Sequence, residues 1–152
     1  MKLILDEMLV HTARLLRIFG VDAATIKPKN DDELVRYAAK ENRILITKDV
    51  GLVDNARRHG VKTLFLHSDN IEEQLLEIKQ DLGVAFEFPG KTRCSMCNGE
   101  LLVVDKEQIK TMIPENVYQN HDKFWLCQNC KKAYWEGNHW TNIRKIYERI
   151  SS

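Results

Sequence analysis

The chain is poor in the features that mark membrane, fibrous or disordered proteins. It has only 3 prolines and 7 glycines in 152 residues, and no stretch is rich enough in Gly, Pro or Ser to act as a flexible linker. No apolar run approaches the roughly 18 residues that would span a bilayer, so a transmembrane role is excluded by length. A basic, apolar leader with small residues at its end is also missing, and the expected setting is therefore a reducing, cytoplasmic one. Charge of one sign is scarce: 23 Lys and Arg face 22 Asp and Glu, for a net +1. Such a balance gives no broad grip on a polyanion, so any contact with nucleic acid has to be local.

Cysteine is absent from the first 93 residues, and then all four occur in two C-x-x-C pairs, Cys94/Cys97 and Cys127/Cys130. Two thiolates three apart reach one ion from a single tight turn, and a second turn completes the closed tetrahedron that a structural zinc prefers. A zinc ribbon is the expectation; two disulfides or four separate thiols are the alternatives. A redox C-x-x-C opens a helix, whereas Asn98-Gly99 behind the first pair reads as a turn.

Phe88-Pro89-Gly90-Lys91 divides the chain, and two units are expected, 1–88 and 89–152. The content of 43% hydrophobic residues is enough for a core. Residues 1–90 hold 13 basic and 15 acidic side chains, residues 91–152 hold 10 and 7. Zinc on four thiolates would cancel most of the basic excess of the second part.

In the first unit short apolar runs alternate with helical patterns. Strands are expected at 2–6, 21–26, 43–49 and 61–66. Helices are expected from Glu7 to Phe19, with Met8, Leu9, Leu15, Leu16 and Phe19 inward, from Asp31, with Leu34, Val35, Ala38 and Ala39 inward, over 52–59 and over 71–82. This alternation predicts an α/β fold with a mainly parallel sheet. In the second unit extended runs at 101–104 and 133–135 flank the cysteine pairs, 106–113 reads helical up to Pro114, and a terminal helix is expected over 140–150.

In a parallel sheet the residues just past the strand ends meet on one edge, where open α/β folds place their ligands. Asp6 and Asp49 each end a strand, and Asp31 begins a helix that leads into the Asp49 strand. Grouped carboxylates repel unless a cation bridges them, and hard oxygens suit Mg²⁺ or Mn²⁺, which can hold a phosphodiester and activate water. The competing reading is local: an aspartate before a helix is a favoured N-cap, and Asp32 and Glu33 in a first turn answer the helix dipole.

Leu3-Ile-Leu-Asp6-Glu-Met, Ala13-Arg-Leu-Leu-Arg17-Ile-Phe-Gly20, Asp31-Asp-Glu-Leu, Arg43-Ile-Leu-Ile-Thr-Lys-Asp49, the cysteine pairs and Tyr134-Trp-Glu-Gly-Asn-His-Trp140 stand in one order across nearly the whole chain. In these motifs the chain resembles the Mut-seven C-terminal RNase domain family, a PIN-like nuclease fold fused to a zinc ribbon. The resemblance implies metal-dependent cleavage of RNA. By position, Asp6 resembles the first acid of such a site, Asp31 or its neighbour Asp32 the second, and Asp49 the acid that follows the Thr-Lys pair. It implies Mg²⁺ or Mn²⁺ on Asp6 and Asp49, with structural Zn²⁺ on the cysteines. The usual fourth acid has no direct counterpart, and Asp54 is its one stand-in.

Arg14 and Arg17, three apart on the first helix, and Lys48 beside Asp49 are candidate RNA contacts, against the alternative of solvated or ion-paired side chains. Lys131, Lys132, Arg144 and Lys145 interleave with Tyr134, Trp135 and Trp140, a mixture suited to backbone contact and base stacking, although Trp125, Trp135 and Trp140 also fit a small core. His11 and His139 read as packed residues. Two rivals complete the set. One is a noncatalytic RNA-binding or adaptor protein with a degenerate PIN-like half. The other is a phosphoacceptor receiver, with Asp6-Glu7 as its ion pair and Asp49 as the modified residue.

Overall fold

Leu3, Ile4 and Leu5 are all fully buried in one strand, as are Leu45, Ile46 and Thr47 in another, because the sheet they belong to is covered on both faces. The computed structural model describes residues 1–151. In it β1 (Lys2–Leu5) lies between β2 (Asp22–Ala24) and β3 (Ile44–Thr47), and β4 (Thr63–Phe65) lies beyond β3; all neighbours are parallel and the order is β2-β1-β3-β4. The helices α1 (Val10–Ile18), α2 (Asp31–Glu41), α3 (Val50–Arg58) and α4 (Ile71–Leu82) connect and close these strands.

Side chains alternate along each strand and so feed two cores. Leu3, Leu5 and Ile46 join Leu16 of α1, Phe19, and Leu75 and Ile78 of α4. Ile4 and Leu45 join Leu34, Val35 and Ala38 of α2 with Leu52 and Ala56 of α3. Each such fully buried Leu or Ile contributes roughly 1.5–3 kcal/mol relative to an exposed one.

The cysteine-bearing part forms an antiparallel sheet, β5 (Leu101–Val104), β6 (Phe124–Cys127) and β7 (Ala133–Trp135), in that order. Its insert is a 3-10 helix at Lys106–Met112 followed by α5 (Glu115–Asn120), and Ile109 and Ile113 bury against Phe124. The terminal helix α6 (Asn138–Ser151) returns to the first sheet, where Ile143 and Ile150 enter the core of α1 and α4. Trp125 and Trp140 stack at 5.5 Å, and Trp140 also meets Phe88 at 5.1 Å. Trp135 packs toward Phe124 at 6.5 Å. These indoles are parts of the packing. Among the described residues no helix is long and apolar enough to cross a membrane.

Local chemistry moved several expected boundaries. The first helix opens as a 3-10 turn, Glu7–Leu9, in which Asp6 accepts from the Met8 amide. Tighter winding swings Met8 outward, 85% exposed rather than inward. Asn30, not Asp31, caps α2 through the Glu33 amide, and Ala39 is exposed. The strand β6, central to the ribbon, was not among the expected elements, because Phe-Trp-Leu-Cys lacks the alternation that marks a strand.

Candidate functional site

The chain leaves β1 toward β2 and leaves β3 toward β4, in opposite directions across the sheet. The C-terminal ends of β1 and β3 therefore form the switch point at which doubly wound sheets open a crevice. Asp6 and Thr47 stand there. The Thr47 side chain, fully buried, donates from Oγ1 to Oδ2 of Asp6 at 2.9 Å and accepts from the Asp49 amide at 3.0 Å. One hydroxyl thus fixes the carboxylate that ends β1 and the backbone of the acid that follows β3. Thr47 had no expected role, although its place two residues before Asp49 is a usable signal.

Asp49 also caps α3, its Oδ1 accepting from the Leu52 amide at 3.3 Å. Capping engages one oxygen and leaves the other, on an exposed residue, open to solvent. Asp6 is half-buried with both oxygens engaged. The remaining acids are looser. Asp31 and Asp32 occupy the first turn of α2, exposed, and Asp32 accepts from Asn55 Nδ2 of α3 at 2.9 Å. Asp54 is exposed on α3. Among the described residues no three of these carboxylates lie within 4.8 Å of one another.

Lys48 pairs with Asp69, and Arg14 is half-exposed on α1. Arg17 has left the surface. It is 2% exposed and donates from Nε to the Ala23 carbonyl at 2.7 Å, from Nη1 to the Ser95 carbonyl at 2.8 Å and from Nη2 to Thr25 Oγ1 at 2.9 Å. Burial pushes its guanidinium below its usual range, while the sulfurs of Cys94 and Cys97 act to raise it. With every nitrogen committed to protein acceptors, Arg17 does not serve as a phosphate contact; it is the bolt between α1, β2 and the first cysteine turn.

A second bolt lies beside it. The Asn98 side chain accepts from the Ala23 amide at 3.1 Å and donates to Asp22 at 2.7 Å, so it pairs the outer edge of β2. Asp22 also holds Arg43 at 2.7 Å, and Arg43 reaches the Leu3 carbonyl at 3.0 Å. Asn98 has φ +70° and Lys131 φ +65°, so each cysteine pair is followed by a left-handed residue that turns the chain back. Gly99 is required for space: a Cβ there would stand 2.9 Å from Cys127 Sγ and 3.2 Å from Cys97 Sγ.

The four cysteines have their sulfurs within 4.8 Å of one another; among the described residues they are the group of three or more His, Cys, Asp or Glu that meets this limit. Cys97 and Cys127 are 3.4 Å apart and Cys94 and Cys130 3.7 Å. A disulfide needs about 2.05 Å. Zinc–sulfur bonds of about 2.3 Å in a tetrahedron put sulfurs about 3.8 Å apart, so the set fits a tetrahedral ion. The amides of Asn129 and Cys130 point at Cys127 Sγ, both at 3.4 Å, and the Tyr134 hydroxyl lies 2.9 Å from Cys94 Sγ. Burial acts to raise the Cys97 thiol, but hydrogen bonds from Asn129, Gly99 and the neighbouring thiols bring it down to about 6. Four clustered cysteines of this geometry can bind a structural metal such as zinc.

The family model described as Mut7-C RNAse domain matches residues 1–147, both sheets included. No curated protein and no solved structure matches the chain.

Proposed function

From membership in the Mut7-C RNAse domain family, to which this chain belongs, we propose that it is a metal-dependent ribonuclease that hydrolyses RNA phosphodiester bonds at the rim where β1 and β3 end. The observation that carries the reading is the Thr47 hydroxyl shared between the Asp6 carboxylate and the Asp49 amide. It ties the Asp6 carboxylate to the backbone of Asp49, a residue distant in sequence, at one edge of the sheet and orients the first.

Asp6 and Asp49 offer hard oxygens, a donor set suited to Mg²⁺ or Mn²⁺ and not to a soft metal. A divalent ion bound there supplies charge for the phosphoryl oxygens and makes a nearby water more acidic. Asp6, oriented by Thr47, and the open oxygen of Asp49 hold the scissile phosphate's counter-charge in place. Asp31 or Asp32, at the mouth of α2, orients the attacking water and accepts its proton. Asp54 is the candidate for a fourth acid. Lys48 and Arg14 neutralise flanking phosphates. The ribbon, residues 89–152, holds structural zinc on its cysteines and assists RNA binding.

The noncatalytic reading draws on a specific observation: among the described residues Asp6, Asp31, Asp32 and Asp49 form no group of three carboxylates within 4.8 Å of one another. One assay separates the two. Labelled single-stranded RNA is incubated with the zinc-loaded protein and Mn²⁺, with and without a chelator of weak zinc affinity. Chelator-sensitive cleavage is expected, with D6N and D49N each lowering it at least about 10²–10³-fold in protein that far-UV circular dichroism shows to be folded. Full cleavage by both variants removes the proposal, and RNA binding without cleavage supports the rival.

A further inference from the structure

Between α1, β7 and the start of α6 runs a groove of about 770 Å³. Its floor is apolar, and not one of its lining residues is acidic. His11 and Arg14 approach from α1, Lys132 from the turn before β7, and His139 from the first turn of α6, with Tyr134 and Trp135 between them. Arg14 makes no ion pair or hydrogen bond among the described residues, although acids are as common as bases in this chain. Lys132 stands over the Tyr134 ring at 5.4 Å. A lining with cations, half-buried aromatic rings and no carboxylate suits a single strand of nucleic acid, whose phosphates meet the cations while unpaired bases reach the exposed parts of the rings.

The groove also has a direction. Arg14 lies eight positions beyond Asp6, a rise of roughly 12–14 Å along the intervening 3-10 turn and helix. Met8, between Asp6 and His11 in sequence, is exposed. We propose that this groove binds single-stranded RNA and feeds it along α1 to Asp6, so that the ribbon and the sheet form one substrate track. The proposal rests on the ribonuclease reading for its destination but not for its chemistry, since the groove's contacts are independent of cleavage. A duplex is excluded from the track because its bases are paired and unavailable for stacking.

The test measures binding without chemistry: fluorescence anisotropy of a labelled oligouridylate with zinc-loaded protein and no added divalent ion. The wild type is expected to bind, a duplex of equal length to bind more weakly, and R14E/K132E to lose about tenfold or more in affinity, with a salt slope shallower by about 1 to 2. K132E alone, at an exposed position, keeps the test valid should the double variant fold poorly, and loses about threefold to fivefold. Absence of binding, equal affinity for the duplex, or wild-type affinity in a folded K132E overturns the proposal. Binding that persists in a protein without cleavage leaves the track standing and sinks the nuclease reading alone.

Discussion

The four sulfurs lie within 4.8 Å of one another on two backbone turns, with the amides of Asn129 and Cys130 pointing at Cys127 Sγ, whereas the Asp6 carboxylate and the Asp49 backbone meet across the sheet through one threonine hydroxyl. The sulfur centre is closed by local chain geometry: the left-handed residues Asn98 and Lys131 and the missing Cβ of Gly99 shape its turns. The acidic rim is open, with one acid half-buried and the other exposed, Asp31 exposed in the first turn of α2 and Asp32 tied to Asn55 of α3. A structural metal asks for a filled coordination shell and a catalytic one for vacant positions, so the difference in closure is the one that the proposed ribonuclease function requires. The two regions are nevertheless joined, since Arg17 and Asn98 tie the first cysteine turn to β2.

The largest effect that would break this contrast is metal removal. A strong zinc chelator is expected to unfold the ribbon, because small zinc domains draw about 10–16 kcal/mol of apparent folding energy from the ion. Near-UV circular dichroism reads it through the stacked Trp125 and Trp140. A retained aromatic signal in metal-free protein would mean that the sulfur centre is not structural.

Next in size is Arg17→Met. It strands the Ala23 and Ser95 carbonyls, and is expected to lower unfolding stability by roughly 3 kcal/mol, while Arg14→Met stays within about 0.5 kcal/mol. Urea unfolding measures both, and equal effects would deny that the two arginines differ in role.

Thr47→Val keeps the shape and removes the shared hydroxyl. Cleavage is expected to fall about 10–100-fold and stability by about 1–2 kcal/mol, with zinc content unchanged. Normal cleavage in this variant would show that the hydroxyl does not organise the rim.

The smallest effect concerns Asp22. Burial acts to raise its carboxyl, but hydrogen bonds from Arg43 and Asn98 outweigh it and hold the group below the usual carboxylate range. A depressed folded value means that its contribution is complete above about pH 3.9 and is lost as pH falls through that lower value. Solvent screening holds the contribution under about 1 kcal/mol. Acid unfolding of Asp22→Asn is expected to show a shallower loss of stability below pH 4 than the wild type, and identical curves would remove Asp22 from the seam.

Much of this was legible from residue order. The helix at 71–82 and the strands at 101–104 and 133–135 lie where their patterns put them, since each combines clear periodicity with a breaker or a cysteine turn. The parallel sheet followed from alternation, and the cysteine cluster from spacing. Other features depended on partners far along the chain. Arg14 and Arg17 are neighbours on one helical face, but the Ser95 carbonyl that takes Arg17 inward is 78 positions away. The ribbon's middle strand was hidden because both of its neighbours, not its own pattern, define it. Asn30 took the cap ahead of Asp31 because its side chain reaches the third amide of the helix. The joining of Asp6 to Asp49 likewise requires the register of β1 on β3, which pairs Leu5 with Ile46 and so brings Thr47 beside Asp6.

The most direct test of the account is a Mn²⁺ titration of the zinc-loaded protein followed by electron paramagnetic resonance, comparing the wild type with D6N and with D49N. One bound ion is expected in the wild type, with affinity reduced about tenfold or more by either substitution. Equal Mn²⁺ affinity in all three proteins would contradict a cation site shared by Asp6 and Asp49.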